Sequence, residues 1–242
     1  RRALSEEAFK SQREIVQSSD IVLSGGADRI FTAFEAILRF VGGRGGILDG
    51  DSIRALIDAR ALIEDATSDS VQTASYDLRL GDHVWCQGRF IHLTDFSPAL
   101  TIPPYSYAIV SAHERAKLPK ILAGRFDLKV SLFFQGVILS NGPQVDPGYN
   151  GSLFCMLYNS SDQNVGLMRG HHFATIEFIT TCTSTRGYHS KYQAKSEFRD
   201  FMPGHAAVGH GGKILERVEE LKREWDGWKL GLIAYMGLGA AF

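Results

Sequence analysis

Short apolar runs separated by turn residues fill residues 75–183, and this pattern constrains the fold more than any other feature of the chain. Runs rich in Val, Ile, Phe and Leu occupy residues 107–110, 137–139, 152–158 and 172–179. Residues that break regular structure lie between them at Pro103-Pro104, Asn141-Gly142-Pro143 and Asp146-Pro147-Gly148. Short runs of this composition, bounded by Pro and Gly, are typical of β-strands. The pattern predicts a mainly β fold, either a barrel or a sandwich.

Three helical patterns precede the strands. Residues 5–17 open with a Ser-Glu-Glu helix start, and apolar residues recur at spacings of three and four in residues 27–41. The glycines between residues 42 and 46 are not followed by the Gly-Lys-Ser/Thr of a phosphate-binding loop, so they predict a linker. A third helix is expected after Asp49 or Asp51, either of which can cap it. Its predicted apolar face consists of Ile53, Leu56, Ile57 and Ala61.

The C-terminal region contains the most regular periodicity in the chain. Apolar residues separated alternately by four and three positions are Ile214, Val218, Leu221, Trp225, Trp228 and Leu232. This heptad spacing predicts either a coiled coil between subunits or a helix packed on its own barrel. The tail that begins at Leu230 and finishes at Phe242 is almost wholly apolar, but it is too short to cross a bilayer as it stands. It predicts contact with a membrane or with a partner protein.

These patterns divide the chain into four parts. The predicted parts are an N-terminal helical extension at residues 1–46, a barrel at 47–195, a flexible linker at 196–212 and a coiled-coil helix with its apolar tail at 213–242. The linker is predicted because glycines and polar residues replace the apolar runs there.

The charge balance argues against binding to genomic nucleic acid. Lys and Arg total 26 and Asp and Glu total 27, so a phosphate site must be built from local cations. Cys86, Cys155 and Cys182 form no CxxC pair, which favours reduced thiols in an intracellular compartment. The N-terminal residues contain no apolar core of signal-peptide length. We therefore expect a cytoplasmic protein, which would lie at a membrane face if its apolar tail contacts lipid.

Two motifs resemble the dCTP deaminase/dUTPase superfamily. Residues 74–81 (ASYDLRLG) resemble its Ser-x-Asp-Leu-Arg-Leu-Gly strand, and residues 145–151 (VDPGYNG) resemble its Asp-Pro-Gly-aromatic-x-Gly turn. Further motifs in the family's order are Tyr158-Asn159, Arg169-Gly170 and Lys191-Tyr192-Gln193. The resemblance covers the predicted barrel but neither the N-terminal extension nor the terminal helix.

This resemblance implies a homotrimer of distorted jelly-roll β-barrels of the dUTPase type, with nucleotide sites between the subunits. Members of the superfamily either deaminate dCTP without a metal-bound water or hydrolyse dUTP to dUMP and pyrophosphate with Mg²⁺. The zinc-deaminase signature, HxE with PCxxC, is absent from this sequence. We therefore predict no metal held by the protein itself, and Mg²⁺ would enter with the nucleotide.

The resemblance also points to the residues that carry the chemistry. Asp146 would lie beside the sugar and base and help to orient a water, although an Asp before Pro-Gly also organises a turn without any ligand. The Glu that moves protons in the deaminases corresponds here to Met156. A thioether cannot transfer a proton, and loss of a positioned acid or base lowers a rate on the order of 10²–10⁴-fold. Deaminase activity is therefore expected to be nearly lost.

The phosphate-binding segment also differs from the family pattern in a way that is expected to weaken function. The family's Arg-Ser-Ser-Leu-Ala-Arg-x-Gly reads KVSLFFQG at residues 129–136, so Phe134 replaces an Arg whose forked donors suit a phosphate. An Arg that often precedes the turn corresponds to Gln144. The predicted nucleotide-binding residues are Lys129, Ser131, Gln144, Asp146, Phe154, Met156, Tyr188, Lys191 and Lys195.

Two clusters in the C-terminal half keep alternative interpretations. Tyr188, Lys191 and Lys195 either close over a base and its phosphates or form a solvated loop. His171 and His172 could form a metal pair, but ordinary surface histidines are favoured.

Three functional hypotheses follow. The leading one is a trimer that binds or senses a deoxypyrimidine nucleotide without converting it and passes the occupancy of the pocket to its C-terminal segment. The second is an active dCTP deaminase or dUTP pyrophosphatase that relies on Asp146 with Mg²⁺. The third is a structural trimerisation module whose pocket is packed with Phe133, Phe134, Phe154 and Met156.

Overall fold

The computed structural model describes residues 46–140, 144–181, 185–195, 198–201 and 211–239, and all structural statements refer to these. The helices predicted at residues 5–17 and 27–41, the turn at 141–143 and Cys182 lie outside them. So do residues 42–45 of the predicted linker.

A short helix, α1 (Gly50–Asp58), leads into the sheet. Asp49 is its N-cap, because its carboxylate accepts a hydrogen bond from the Ser52 backbone N–H at 2.9 Å. Ile53 and Leu56 are fully buried, as the predicted apolar face requires. The prediction that Ala61 belongs to this face is wrong, because α1 ends at Asp58 and Arg60 turns the chain with a φ of 54°.

Antiparallel strands are the main regular secondary structure of the described chain. The first six are β1 (Ile63–Glu64), β2 (Tyr76–Cys86), β3 (Arg89–His92), β4 (Ala99–Ile102), β5 (Tyr107–Lys117) and β6 (Leu122–Leu128). After a four-residue helix, α2 (Val130–Phe133), follow β7 (Val137–Ser140), β8 (Gln144–Val145), β9 (Asn150–Asn159), β10 (Val165–Met168) and β11 (His172–Thr180). All four apolar runs predicted as strands lie in strands, namely β5, β7, β9 and β11.

Nine of the described strands form one curled sheet. Its order is β7-β9-β5-β2-β11-β6-β8, with β1 paired to β5 and β3 paired to β2, while β4 and β10 form a separate pair. All pairings between the described strands are antiparallel. The prediction of a mainly β, barrel-like fold is therefore confirmed.

Strand β9 shows how the sheet separates its two faces. Leu153, Cys155 and Leu157 are buried in the core, whereas Phe154 and Met156 between them are only half-buried. Because successive side chains of a strand point to opposite faces, one face of β9 packs the core and the other remains available for a site.

The chain ends in a long helix, α3 (Gly211–Gly239). The heptad residues whose side chains are described are exposed: Ile214, Val218, Leu221, Trp225 and Trp228. They do not pack on the barrel of their own chain, so the coiled coil between subunits stays a prediction. Among the described residues, no helix combines the length and the apolar character that crossing a bilayer requires.

Candidate functional site

The turn between β8 and β9 positions the predicted Asp146. The Tyr149 backbone N–H donates to the Asp146 carbonyl at 3.1 Å, and Gly148 adopts a φ of 77°. A Cβ at Gly148 would lie 2.9 Å from the Cα of Gly187, so both the backbone angle and the space demand glycine. This close approach brings the C-terminal segment against the turn, where the Tyr188 N–H donates to the Pro147 carbonyl at 2.8 Å.

The same segment continues along the start of β9. The Ala194 N–H donates to the Asn150 carbonyl at 2.8 Å, and the Ser152 N–H donates to the Lys195 carbonyl at 3.2 Å. These backbone hydrogen bonds fix the segment on the sheet, so its side chains can form one wall of a site.

The turn, β9 and the C-terminal segment enclose a cavity of about 730 Å³. Its lining residues are Ile109, Phe126, Ser140, Gln144, Val145, Asp146, Tyr149, Ser152, Leu153, Phe154, Cys155, Met156, Tyr188, Tyr192 and Phe201. The cavity is thus mostly apolar and aromatic, with a small number of polar groups, as is usual for a small-molecule site.

Aromatic contacts build the wall on the C-terminal side. The ring of Phe201 lies 4.6 Å from that of Phe154 and stacks on Tyr192 at 5.4 Å, measured between ring centroids. Phe201 belongs to a short 3₁₀ helix, Phe198–Phe201, and is 9% exposed. It lies inside the range 196–212 predicted as a flexible linker, and the sequence analysis missed it because a single Phe among polar residues carries no periodic signal.

Two titratable lining groups stay neutral over the usual pH range. Burial and the neighbouring Tyr188 raise the pKa of Tyr149 to about 12, and its hydroxyl donates to the Ser152 carbonyl at 2.7 Å. Burial raises the pKa of the Cys155 thiol far above its ordinary value. Neither group is therefore a ready acid or base at neutral pH.

Asp146 is the one acidic side chain among the cavity-lining residues of the described chain. It is exposed, and its Oδ1 accepts a hydrogen bond from Nε2 of Gln144 at 3.1 Å. Because each carboxylate oxygen has two lone pairs, most of its acceptor capacity is left for a ligand or a water.

The structure brings five predicted nucleotide-binding residues into one cavity: Gln144, Asp146, Phe154, Met156 and Tyr188. It places the other four outside the cavity lining of this chain: Lys129, Ser131, Lys191 and Lys195. Met156 lies on the cavity face of β9 next to Phe154, at the position where the family resemblance expects the proton-transferring Glu.

The cations of the predicted site are engaged elsewhere in the chain. Lys129 forms a 2.8 Å ion pair with the nearly buried Asp77, a partner that its sequence position gives no reason to expect. The Lys191 ammonium lies 4.8 Å from the centre of the Tyr192 ring, and the Lys195 ammonium donates to the Asp200 carbonyl at 3.3 Å.

Two aromatic residues of the packed-pocket hypothesis lie away from the cavity. Phe133 and Phe134 contact each other and are 64% and 80% exposed, so they do not fill the cavity of their own chain. The packed pocket is therefore not found in the single chain.

The adjacent His171 and His172 do not form a metal site with other residues. His172 Nε2 lies 2.9 Å from the Ser70 hydroxyl. In the described part of the chain, no group of three or more His, Cys, Asp or Glu side chains is placed to hold a metal ion.

Comparisons with known proteins agree on one family. A family model described as dCTP deaminase-like matches residues 47–181. A dCTP deaminase of Thermococcus kodakarensis is 42% identical over 118 residues, which are 49% of this chain and 75% of the relative. A dCTP deaminase of Pyrococcus furiosus is 38% identical over 136 residues, which are 56% of this chain and 86% of the relative.

A solved structure shares the fold. The 2'-deoxycytidine 5'-triphosphate deaminase from Agrobacterium tumefaciens matches with a TM-score of 0.50 and 21% sequence identity. The match covers 57% of this chain and about half, 48%, of that chain. At this identity the likeness supports the barrel and leaves the chemistry to the residues of the cavity.

Proposed function

Because the chain belongs to the dCTP deaminase-like family, we propose that its cavity binds a deoxypyrimidine nucleotide without deaminating it, and that binding regulates the C-terminal segment. The observation that carries this proposal is the pairing of Asp146 and Met156 in one cavity. A carboxylate that can contact a ligand is present there, while a side chain that cannot move protons stands beside it.

The size and chemistry of the cavity support nucleotide binding. Its volume of about 730 Å³ lies within the range of about 300–1,000 Å³ that is usual for small-molecule sites. Phe154 and Tyr188 offer aromatic faces for a base, and Gln144 and Asp146 offer polar atoms for its edge or its sugar.

The distribution of charge supports a site completed by other subunits of a homotrimer. No Lys or Arg belongs to the lining described for one chain, yet a triphosphate requires cations for tight binding. A neighbouring copy could contribute to the phosphate site, since its exposed Ser131 offers a hydroxyl donor and its Lys129, although paired with Asp77, keeps 32% of its side chain exposed. The exposed Phe133 at the end of α2 and Phe134 directly after it would then be covered by that neighbour.

The absence of deamination follows from proton chemistry. Attack of water on the cytosine ring and departure of ammonia both require a group that takes up and releases a proton at the base. Met156 cannot do so, and the nearby Tyr149 and Cys155 have pKa values raised by burial. Asp146 is the remaining lining acid, and it would hold the sugar or a Mg²⁺ that accompanies the phosphates.

The proposed regulatory output is the terminal helix. The heptad residues between Ile214 and Trp228 whose side chains are described are exposed in the single chain, so they are available to pair with the same helix of other subunits. Ligand-dependent closure of subunits around a shared site would change the relation between these helices. Contact of the apolar tail with a membrane or a partner is a further part of this proposal.

The first experiment separates binding from turnover. Purified trimer is titrated calorimetrically with dCTP, dUTP and dTTP in the presence of Mg²⁺, and the same mixtures are analysed by chromatography after incubation. We expect heat of binding with at least one nucleotide and no conversion of any. Silence in every titration would remove the nucleotide-binding proposal.

A substitution tests the role assigned to Met156. In Met156→Glu, a carboxylate returns to the cavity, and we expect dCTP deamination to rise by on the order of 10²-fold or more above the wild type. Met168→Glu is the matched control, because Met168 is exposed on β10 and outside the cavity lining. Equal activity in both variants would contradict the proposed role of this position.

An active enzyme is the second candidate, favoured by one observation. The relatives at 42% and 38% identity are themselves described as dCTP deaminases. Release of dUTP from dCTP by the wild-type chain would establish this candidate, and release of dUMP from dUTP would establish a pyrophosphatase that relies on Asp146.

A further inference from the structure

A tight hairpin at the edge of the sheet holds two histidines directly opposite each other. Strands β2 and β3 are joined by a two-residue loop, Gln87 and Gly88, with φ angles of 50° and 77°. Positive φ at both loop residues is the signature of the type I′ turn, whose twist matches that of the strands it joins. The turn fixes the register in which His83 pairs with His92.

The hydrogen-bond pattern places these two side chains close together. The Leu93 N–H donates to the Asp82 carbonyl at 2.7 Å, so the adjacent pair, His83 and His92, is a non-hydrogen-bonded pair. Such pairs have the shorter separation between strands. The imidazole rings are 4.9 Å apart between centroids, and their Nδ1 atoms are 3.3 Å apart.

This separation matches that of two nitrogens bound to one tetrahedral metal ion. With Zn–N bonds of about 2.0–2.1 Å and a tetrahedral angle, two coordinating nitrogens lie about 3.3–3.4 Å apart. A direct N–H···N hydrogen bond would also hold the rings, but 3.3 Å is longer than the usual range of about 2.7–3.2 Å for N–H donors.

We propose that His83 and His92 bind one transition-metal ion of the Zn²⁺, Cu²⁺ or Ni²⁺ class through their Nδ1 atoms. Imidazole nitrogen is a preferred ligand of all three ions. The remaining coordination positions face solvent and are filled by water or by a donor from another molecule. The proposed site is separate from the nucleotide cavity, since neither histidine belongs to the cavity lining.

The charged neighbours of the pair are engaged with one another. Asp82 is paired with Arg169 at 2.6 Å, and the same guanidinium contacts Asp95 at 2.7 Å. His113 is exposed on β5, beside β2. Since Asp82 already neutralises an arginine, the two imidazoles are the groups of this hairpin left to hold a cation.

Metal binding would add a cross-strand link to an exposed edge strand. All four residues of β3 are exposed, and among the described strands β3 pairs with β2. Its Phe90 also contacts Trp85 and lies under the guanidinium of Arg199, 5.0 Å from the ring centre. A metal bridge between His83 and His92 would link the open end of the hairpin. It would therefore slow the exchange of the β3 amide hydrogens.

The fluorescence of Trp85 can report metal binding at the hairpin. Trp85 lies two residues after His83 on the same face of β2, and its ring contacts that of Phe90 at 4.7 Å. Because Cu²⁺ quenches a nearby indole, a Cu²⁺ titration followed by tryptophan fluorescence reports occupancy. Trp85→Phe identifies the signal, because the other tryptophans, Trp225 and Trp228, lie on the terminal helix.

The deciding experiment compares metal affinities of matched variants of the full chain. Zn²⁺ is titrated by calorimetry, and Cu²⁺ by fluorescence, into the wild type, His83→Gln, His92→Gln and the control His189→Gln. Substitution of residues that only hydrogen-bond to a metal ligand typically lowers metal affinity about 10–100-fold. Removal of a ligand itself, in His83→Gln or His92→Gln, should therefore weaken metal binding by at least about tenfold. His189→Gln should bind as the wild type does.

Two further controls address other ligands and protons. Cys86→Ser should retain the affinity, since this thiol on the same strand is buried in the core. Binding should weaken as the pH falls, because each Nδ1 must be free of its proton to coordinate. Equal metal affinity in the wild type and both hairpin variants, or no binding by the wild type, would overturn the proposal.

Discussion

Glu114, on β5, and Asp146, directly after β8, carry carboxylates that differ in their exposure to solvent. Glu114, on β5, is fully buried and accepts hydrogen bonds from Nε of Arg79 at 2.7 Å, its backbone N–H at 2.9 Å and the Tyr76 hydroxyl at 3.2 Å. Asp146 is exposed at the cavity, where its carboxylate accepts a hydrogen bond from Nε2 of Gln144 at 3.1 Å.

The difference shows which carboxylate is structural. A buried charge is tolerated only when it is paired and its acceptor sites are satisfied, and Glu114 meets both conditions. A satisfied carboxylate has nothing left to offer a ligand. The Asp146 carboxylate is exposed to solvent and retains free acceptor sites. It therefore pays little desolvation free energy in the folded chain and is available to bind a ligand.

Breaking the buried pair gives the largest expected effect. Glu114→Ala leaves the Arg79 guanidinium, which is 20% exposed, without its partner and removes an acceptor from the buried Tyr76 hydroxyl. We expect the free energy of unfolding to fall by about 3–5 kcal/mol, measured by urea denaturation at fixed protein concentration.

The matched control is a carboxylate in a surface ion pair. Glu177 contacts Arg125 at 2.8 Å, and the arginine is 64% exposed. Glu177→Ala should cost at most about 1 kcal/mol. Similar losses in the two variants would contradict the division between buried and exposed carboxylates.

Asp49 is a third kind of carboxylate, because it is exposed and yet serves the fold as a helix cap. Its carboxylate accepts from the backbone N–H and the hydroxyl of Ser52, at 2.9 and 3.1 Å. Asp49→Ala removes the N-cap of α1, and we expect a loss of about 1 kcal/mol in the free energy of unfolding. Asp49→Asn should keep most of that stability, since Asn is also a good cap.

The pH dependence of the free energy of unfolding, compared between the wild type and Asp49→Asn, tests whether the ionised Asp49 carboxylate stabilises α1. The backbone hydrogen bond from Ser52 is the main cause that lowers the pKa of Asp49 below its ordinary value of 3.8 in the folded chain. Its ionic contribution is therefore present above that ordinary value and is lost as the pH falls through the lowered pKa. The stability difference between wild type and Asp49→Asn should follow this course, and a difference that grows on acidification would refute it.

Asp146 should give the smallest effect on stability and a clear effect on binding. Asp146→Asn replaces an exposed carboxylate, so we expect the free energy of unfolding to change by less than about 0.5 kcal/mol. Nucleotide affinity, measured by calorimetry, should fall. Asp162→Asn, at an exposed loop position, should change neither quantity. A strongly destabilised Asp146→Asn would show that the turn, and not the ligand, needs this charge.

Three of the four strands that the sequence predicted contain long runs of buried apolar residues. β5, β9 and β11 alternate buried and half-buried residues over nine to eleven positions, a signal that survives in composition alone. β3 was not predicted, because its four residues are all exposed and its conformation depends on pairing with β2. The end of α1 was placed too late, since Ala61 is buried without being helical.

Several site residues could be predicted from the sequence motifs, above all those at the Asp-Pro-Gly turn. Asp146, Gln144 and Tyr188 were named from the sequence, and the structure brings them to one cavity. Lys129 was expected near phosphate, but its pairing with Asp77 joins residues 52 positions apart, which no local pattern reveals. Phe201 was missed for the same reason, because its burial depends on Phe154 across the cavity.

The alternation along β9 has a consequence for how such a protein changes over generations. Phe154 and Met156 are half-buried on the face of β9 that points away from the core, while Leu153, Cys155 and Leu157 are buried, with Leu153 and Cys155 also reaching the cavity lining. A substitution at Phe154 or Met156 is therefore expected to change the cavity surface with less effect on the core than a substitution at Leu153, Cys155 or Leu157.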